Sequence, residues 1–111
     1  MKGRPLRVAL LLLAVVTMAG PTRAEDAANA VQVTIDDFAF APKTVTIAPG
    51  TQVIWTNRDD EPHTIRGQDA KDLHSSALDQ NESYAFTFAA PGTYTYYCSL
   101  HPHMTGTVVV K

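Results

Sequence analysis

Three side chains that bind soft metal ions lie within one seven-residue stretch, CSLHPHM at 98–104. Cys98 offers a thiol, His101 an imidazole and Met104 a thioether, in the spacing C-x2-H-x2-M. Thiolate and thioether are soft donors and imidazole is intermediate, so this set favours a transition metal over calcium or magnesium. Cys98 is the only cysteine of the chain and cannot form an internal disulfide, so this single thiol needs another explanation.

One thiolate, two imidazoles and a weakly bound thioether form the ligand set of blue-copper sites. The loop supplies one imidazole at His101, and the second must come from elsewhere. His63 is the best candidate, because it follows the polar segment NRDDEP (57–62) and starts the next extended segment. In a β-sandwich, that point can lie beside the end of the strand that bears Cys98. We therefore predict a copper site formed by His63, Cys98, His101 and Met104.

Each of these residues also has an ordinary structural explanation. Cys98 could be an inert buried thiol, since free cysteine is often buried. Met104 could fill the core, and His101 could be a surface histidine. However, four such donors at this spacing are better explained by one metal site than by four independent structural roles. The two other histidines are interpreted as a solvated residue, His74, and a residue exposed beside the metal, His103.

Short strands must position these residues. Segments that alternate apolar and polar residues are separated by polar loops and by two Ala-Pro-Gly turns. The main alternating segments are VQVTI (31–35), TQVIWTN (51–57), ESYAFTF (82–88), TYTYYC (93–98) and TGTVVV (105–110). This pattern predicts an all-β fold, an antiparallel β-sandwich in a single domain.

The N-terminus has the organisation of a secretory signal peptide. Basic residues precede an apolar run at 8–20, and small residues then mark a cleavage site after Ala24, with Ala30 as an alternative. The run is shorter than the roughly 20 residues of a spanning helix, so we expect no membrane insertion after cleavage. We predict a signal peptide at 1–24, a flexible lead at 25–30 and the folded domain at 31–111.

The charge of the exported part excludes one class of partner. Residues 25–111 contain five basic and eleven acidic residues, a formal charge of −6. Nucleic-acid binding needs a cationic face against the phosphates, so we do not expect it. We expect a monomer.

The chain resembles the cupredoxins of the plastocyanin/amicyanin group, and amicyanins most closely. The resemblance rests on GTQVIWTNRDDEPH (50–63) and PGTYTYYCSLHPHMTGTVVV (91–110), and extends over nearly all of the exported domain. It implies a Greek-key sandwich and one type 1 copper bound by the four predicted ligands. The predicted signal peptide indicates a periplasmic location.

Some positions differ from that family's pattern. Thr64 stands where the family often has Asn, and Leu100 and His103 stand where amicyanin-like sequences tend to have Pro and Phe. Asn57 matches the amicyanin-like spacing and is expected to tie the loop that leads to the first histidine.

The function expected from these features is single-electron transfer by Cu(II)/Cu(I) cycling, without catalysis. The electron would leave at the His101 edge, through an apolar patch rimmed by Asp59, Asp60 and Glu61, to a partner with a basic docking face. A c-type cytochrome or a periplasmic dehydrogenase would fit. The alternatives are copper delivery, storage or resistance, and a structural sandwich with a fortuitous thiol.

Overall fold

The computed structural model describes Gly3 and residues 29–111. The predicted signal peptide and most of the predicted lead therefore lie outside the described residues, and both stay predictions. Within the described part of the chain, no helix has the length and apolar character needed to cross a bilayer.

In residues 29–111, eight strands form two four-stranded sheets. The strands are β1 (Val31–Asp36), β2 (Ala39–Ala41), β3 (Thr44–Ile47), β4 (Thr51–Asn57), β5 (Arg66–Gly67), β6 (Ser83–Phe88), β7 (Gly92–Tyr97) and β8 (Thr105–Val110). One sheet has the order β2-β1-β4-β6 and the other the order β3-β8-β7-β5. The predicted single-domain β-sandwich is confirmed.

The sandwich is mixed in strand direction, whereas the alternation of residues suggested antiparallel pairing throughout. β1 pairs with β4 in parallel, and β3 pairs with β8 in parallel. The reason is the path of the chain, which leaves the first sheet after β2, crosses to the second sheet as β3, and returns as β4 beside β1. The remaining four pairings are antiparallel.

The core lies between the sheets and follows the two-residue period of the strands. Trp55 on β4 is fully buried and meets the ring of Tyr96 on β7 edge-on, with centroids 5.4 Å apart. Gly106 on β8 has no side chain because the Tyr96 ring occupies the place where a Cβ would lie. Cys98 continues the buried face of β7 beyond Tyr96, so the end of the sandwich that carries the predicted ligands is continuous with its core.

Three connections bring the predicted ligands to one end of the sandwich. The segment after β4 leads to His63, and β5 then pairs with β7 through Arg66 and Tyr97. This pairing places the chain around His63 beside the end of β7, where Cys98 follows. The β7–β8 hairpin contributes the loop of residues 98–104.

Candidate metal centre

Three side chains converge at this end of the molecule. One donor atom from each of His63, Cys98 and His101 lies within 4.8 Å of the other two. His63 and Cys98 are fully buried, whereas His101 is only partly buried. Three of the four predicted ligands are thus brought together from two distant segments of the sequence.

The spacing of these atoms suits one metal ion. Cys98 Sγ lies 3.7 Å from His63 Nδ1 and 3.8 Å from His101 Nδ1. An ion about 2.0–2.1 Å from an imidazole nitrogen and about 2.3 Å from a thiolate would hold the two roughly 3.5–3.8 Å apart at tetrahedral to trigonal angles. The donor set, one sulfur and two imidazole nitrogens, is the trigonal set of blue-copper sites. His63, Cys98 and His101 therefore form a candidate copper site.

The outer nitrogen of His63 has a fixed partner. His63 Nε2 lies 2.8 Å from Asp59 Oδ2. A carboxylate accepts the proton of Nε2, which leaves the Nδ1 lone pair facing Cys98 and free to bind a metal. The pKa of the Asp59 carboxyl is lowered: burial raises it, but hydrogen bonds from the Phe38 amide, His63 and the Asp37 amide outweigh that effect.

The Cys98 thiol is prepared for ionisation. Burial raises the pKa of this thiol, but the Thr64 amide, the adjacent imidazoles of His63 and His101, and the Leu100 amide outweigh it and lower the pKa to about 6. The Thr64 N–H donates to Sγ at 3.4 Å. The thiolate is the form that binds a metal, so this environment favours the ligand state at neutral pH.

Met104 closes the loop that carries the C-terminal ligands. The Cys98 amide donates to the Met104 carbonyl at 3.1 Å, and the Met104 amide donates to the His101 carbonyl at 2.9 Å. The His101 amide donates in turn to the Cys98 carbonyl at 3.3 Å. Met104 is buried, with 5% of its surface exposed. Its role as the fourth ligand stays a prediction.

Asn57 ties the loop before His63, as the sequence suggested. Its amide nitrogen donates to the Glu61 carbonyl at 2.8 Å and to the Leu78 carbonyl at 2.9 Å, and its oxygen accepts from the Asp59 amide at 2.9 Å. Asn57 is fully buried. The segment that presents His63 is therefore fixed at several points.

Thr64 joins the two ligand segments. Its hydroxyl oxygen accepts the Ser99 amide at 2.8 Å and lies 2.8 Å from the Ser99 hydroxyl. The hydroxyl of Thr64 thus links the segments that carry His63 and Cys98, although this position departs from the family's usual Asn.

Two residues of the site were not recognised from the sequence in their present roles. Phe38, in the turn between β1 and β2, packs edge-on against the rings of both His63 and His101. Asp59 was expected at the rim of a docking surface, but its carboxylate is committed to His63 and to the turn amides. An acidic residue four positions before a histidine is too common a pattern to have identified this contact.

The surface around His101 is partly apolar. Leu100 and Phe38 are the two large hydrophobic residues of the described chain that are exposed, at 49% and 46%. His103 is exposed beside the site and His74 is exposed, both as predicted.

Known proteins are similar to this chain in sequence and architecture. A family model described as Cupredoxin-like domain matches residues 8–110. Amicyanin-alpha of Methylorubrum extorquens is 37% identical over 91 residues, which cover 78% of this chain and 76% of that protein. Plastocyanin of Rumex obtusifolius is 34% identical over 88 residues, which cover 67% of this chain and 89% of that protein.

A solved structure supports the same relationship and includes the metal in its description. A Cu(I) form of an amicyanin variant superimposes with a TM-score of 0.72 at 30% identity, over 79% of this chain and 88% of that one. The resemblance inferred from the sequence is confirmed. With its two-sheet sandwich and its converging cysteine and histidines, this chain belongs to the cupredoxin-like domain family.

Proposed function

We propose that this protein is a small type 1 copper protein that carries single electrons between redox partners. When bound, copper supplies one-electron chemistry by changing between Cu(II) and Cu(I). His63, Cys98 and His101 would hold the ion, and Met104 would supply a weaker fourth ligand. The observation that carries the proposal is the convergence of one buried thiol and two imidazole nitrogens at a single point.

The hydrogen bonds around the site support electron transfer because they hold the donors in place. Asp59 orients His63, Thr64 links the two ligand segments, and Asn57 anchors the loop before His63. Fixed donors limit rearrangement between oxidation states, and contacts to the thiolate and to the outer imidazole nitrogens adjust the reduction potential.

Electrons are proposed to pass at the His101 edge. His63 is fully buried, whereas His101 is partly exposed, packs against the Phe38 ring and follows the exposed Leu100 in the sequence. Short-lived redox complexes use small interfaces, and charges at the rim act mainly on the association rate. Asp60 and Glu61 are exposed near this edge and supply the acidic rim.

The proposed partner is a redox protein with a basic docking face, such as a c-type cytochrome or a periplasmic dehydrogenase. The acidic rim and the formal charge of −6 for residues 25–111 favour a cationic surface. A periplasmic location follows from the predicted signal peptide. We propose no catalytic role, because a complete set of four protein ligands leaves no position for a substrate.

Visible and paramagnetic-resonance spectra of the exported domain with Cu(II) test the proposal. We expect intense absorption from the copper–thiolate bond, lost in Cys98→Ala and kept in His74→Ala, a matched change at an exposed histidine. Rapid electron self-exchange should follow. Normal colour with slow self-exchange, and with ready transfer of copper to an acceptor protein, would favour copper delivery instead.

A further inference from the structure

The turn between β1 and β2 carries a residue that its backbone does not favour. Asp37 and Phe38 both have positive φ angles, 52° and 56°. Consecutive left-handed residues in a two-residue hairpin turn are normally Asn, Asp or Gly, and a bulky side chain is rare there. Phe38 is also 46% exposed, so burial in the core does not explain it.

The Phe38 ring lies against both histidine ligands of the candidate copper site. Its centroid is 5.2 Å from that of His63 and 5.0 Å from that of His101, with interplanar angles of 89° and 86°. The two imidazoles are themselves 5.0 Å apart. These are favourable edge-to-face arrangements of aromatic rings.

One carboxylate holds the turn in this position. Asp59 Oδ1 accepts the Asp37 amide at 2.8 Å, and Asp59 Oδ2 accepts the Phe38 amide at 3.0 Å. The same Oδ2 lies 2.8 Å from His63 Nε2. Asp59 therefore connects the backbone that presents the Phe38 ring to one of the imidazoles that the ring contacts.

We propose that Asp59 and the Asp37–Phe38 turn form an imidazole clamp, in which Phe38 is a positioning residue for His63 and His101. The ring restricts reorientation of both imidazoles and shields them from water. It thereby slows the loss of copper and raises the reduction potential, because water favours the more highly charged Cu(II) form. Strain at a functional site accounts for a Phe where the backbone favours Gly. The inference rests on the proposed copper site.

Copper release from the exported domain tests the clamp. The rate of loss to an excess of a Cu(I) chelator and the reduction potential are measured for wild type, Phe38→Gly and Phe38→Tyr. Phe38→Gly removes the ring and suits the positive φ, so the copper-free protein should melt no lower than wild type. We expect release about tenfold faster and a lower potential, with Phe38→Tyr within about twofold of wild type.

Asp37→Gly is the matched control, because it frees the backbone of the same turn and retains the Phe38 ring. It should release copper at the wild-type rate. The inference is overturned if Phe38→Gly releases copper no faster than wild type, or if Asp37→Gly is equally fast. A wild-type protein without copper–thiolate absorption would overturn the proposed function as well, whereas normal wild-type colour with an ineffective Phe38→Gly overturns the clamp alone.

Discussion

The hydroxyl oxygen of Thr64 accepts the backbone amide of Ser99 at 2.8 Å, and this bond joins the two segments that carry His63 and Cys98. The segments are 35 positions apart in sequence, yet each ligand is followed directly by a residue of this pair. The Thr64 amide also donates to Cys98 Sγ, so the same residue acts on the thiolate through its backbone and on the neighbouring loop through its side chain.

Thr64→Val should weaken this connection. The side chain keeps its volume but loses the oxygen that accepts the Ser99 amide, and we expect the free energy of unfolding to fall by about 1 kcal/mol. Copper should be lost faster, since the two ligand segments are less firmly joined. Thr64→Ser keeps the hydroxyl and should lie close to wild type in urea unfolding and in chelator competition. A Val variant equal to the Ser variant in both assays would mean that the bond contributes nothing.

Met104→Leu separates the two explanations of the buried methionine. As an axial ligand, the thioether adjusts the copper without supplying the colour. The variant should therefore keep its copper–thiolate absorption and show a changed paramagnetic-resonance spectrum and reduction potential. If Met104 only fills the core, the free energy of unfolding should fall by less than about 1.5 kcal/mol. The paramagnetic-resonance spectrum and the reduction potential should then be unchanged. Unchanged spectra and potential would remove Met104 from the ligand set.

The stability of the copper-free protein should depend on pH through Cys98. The folded thiol has a pKa of about 6, whereas an unfolded thiol has a pKa of roughly 8.5. Between these values the unfolded chain binds more protons, so this contribution is fully present above roughly pH 8.5 and is lost as the pH falls through about 6. Urea unfolding of the reduced protein at pH 9, 7.5 and 6 measures it, in steps chosen to bracket that range. The free energy of unfolding should depend less steeply on pH in Cys98→Ala than in wild type. An identical pH dependence in the two proteins would assign the effect to other groups.

Asp60 and Glu61 should govern the salt dependence of docking. Replacement of both by Ser should slow electron transfer to a basic c-type cytochrome at low ionic strength by about tenfold, and the difference should shrink as salt screens the charges. Asp59 is left intact because its carboxylate holds His63 and the turn.

A charge-matched control for this experiment is Asp69→Ser with Asp72→Ser. Both residues are exposed and follow β5, which runs along β7 away from Cys98. Stopped-flow rates across a range of ionic strength should respond much less to this pair. Equal effects of the two pairs would indicate that net charge, rather than the rim near His101, steers the partner.

The sequence by itself determined the local chemistry of this protein. Donor type and spacing in residues 98–104 predicted a soft-metal loop, because one tight turn can direct three potential donors within seven positions toward one point. Alternation along segments such as 51–57 predicted strands with one buried face, since successive side chains of a strand point to opposite sides. His63 was found by its type and by its place after the polar segment 57–62, where the next extended segment begins.

Only the tertiary structure decided what lies across from these residues. The parallel pairing of β1 with β4 depends on a chain path that crosses between the sheets, which alternation of residues does not encode. The contacts of Phe38 with the two histidines, and of Asp59 with the turn, join segments 21 or more positions apart. Such contacts depend on how the sheets and loops pack, whereas ligand type and strand period are properties of neighbouring residues.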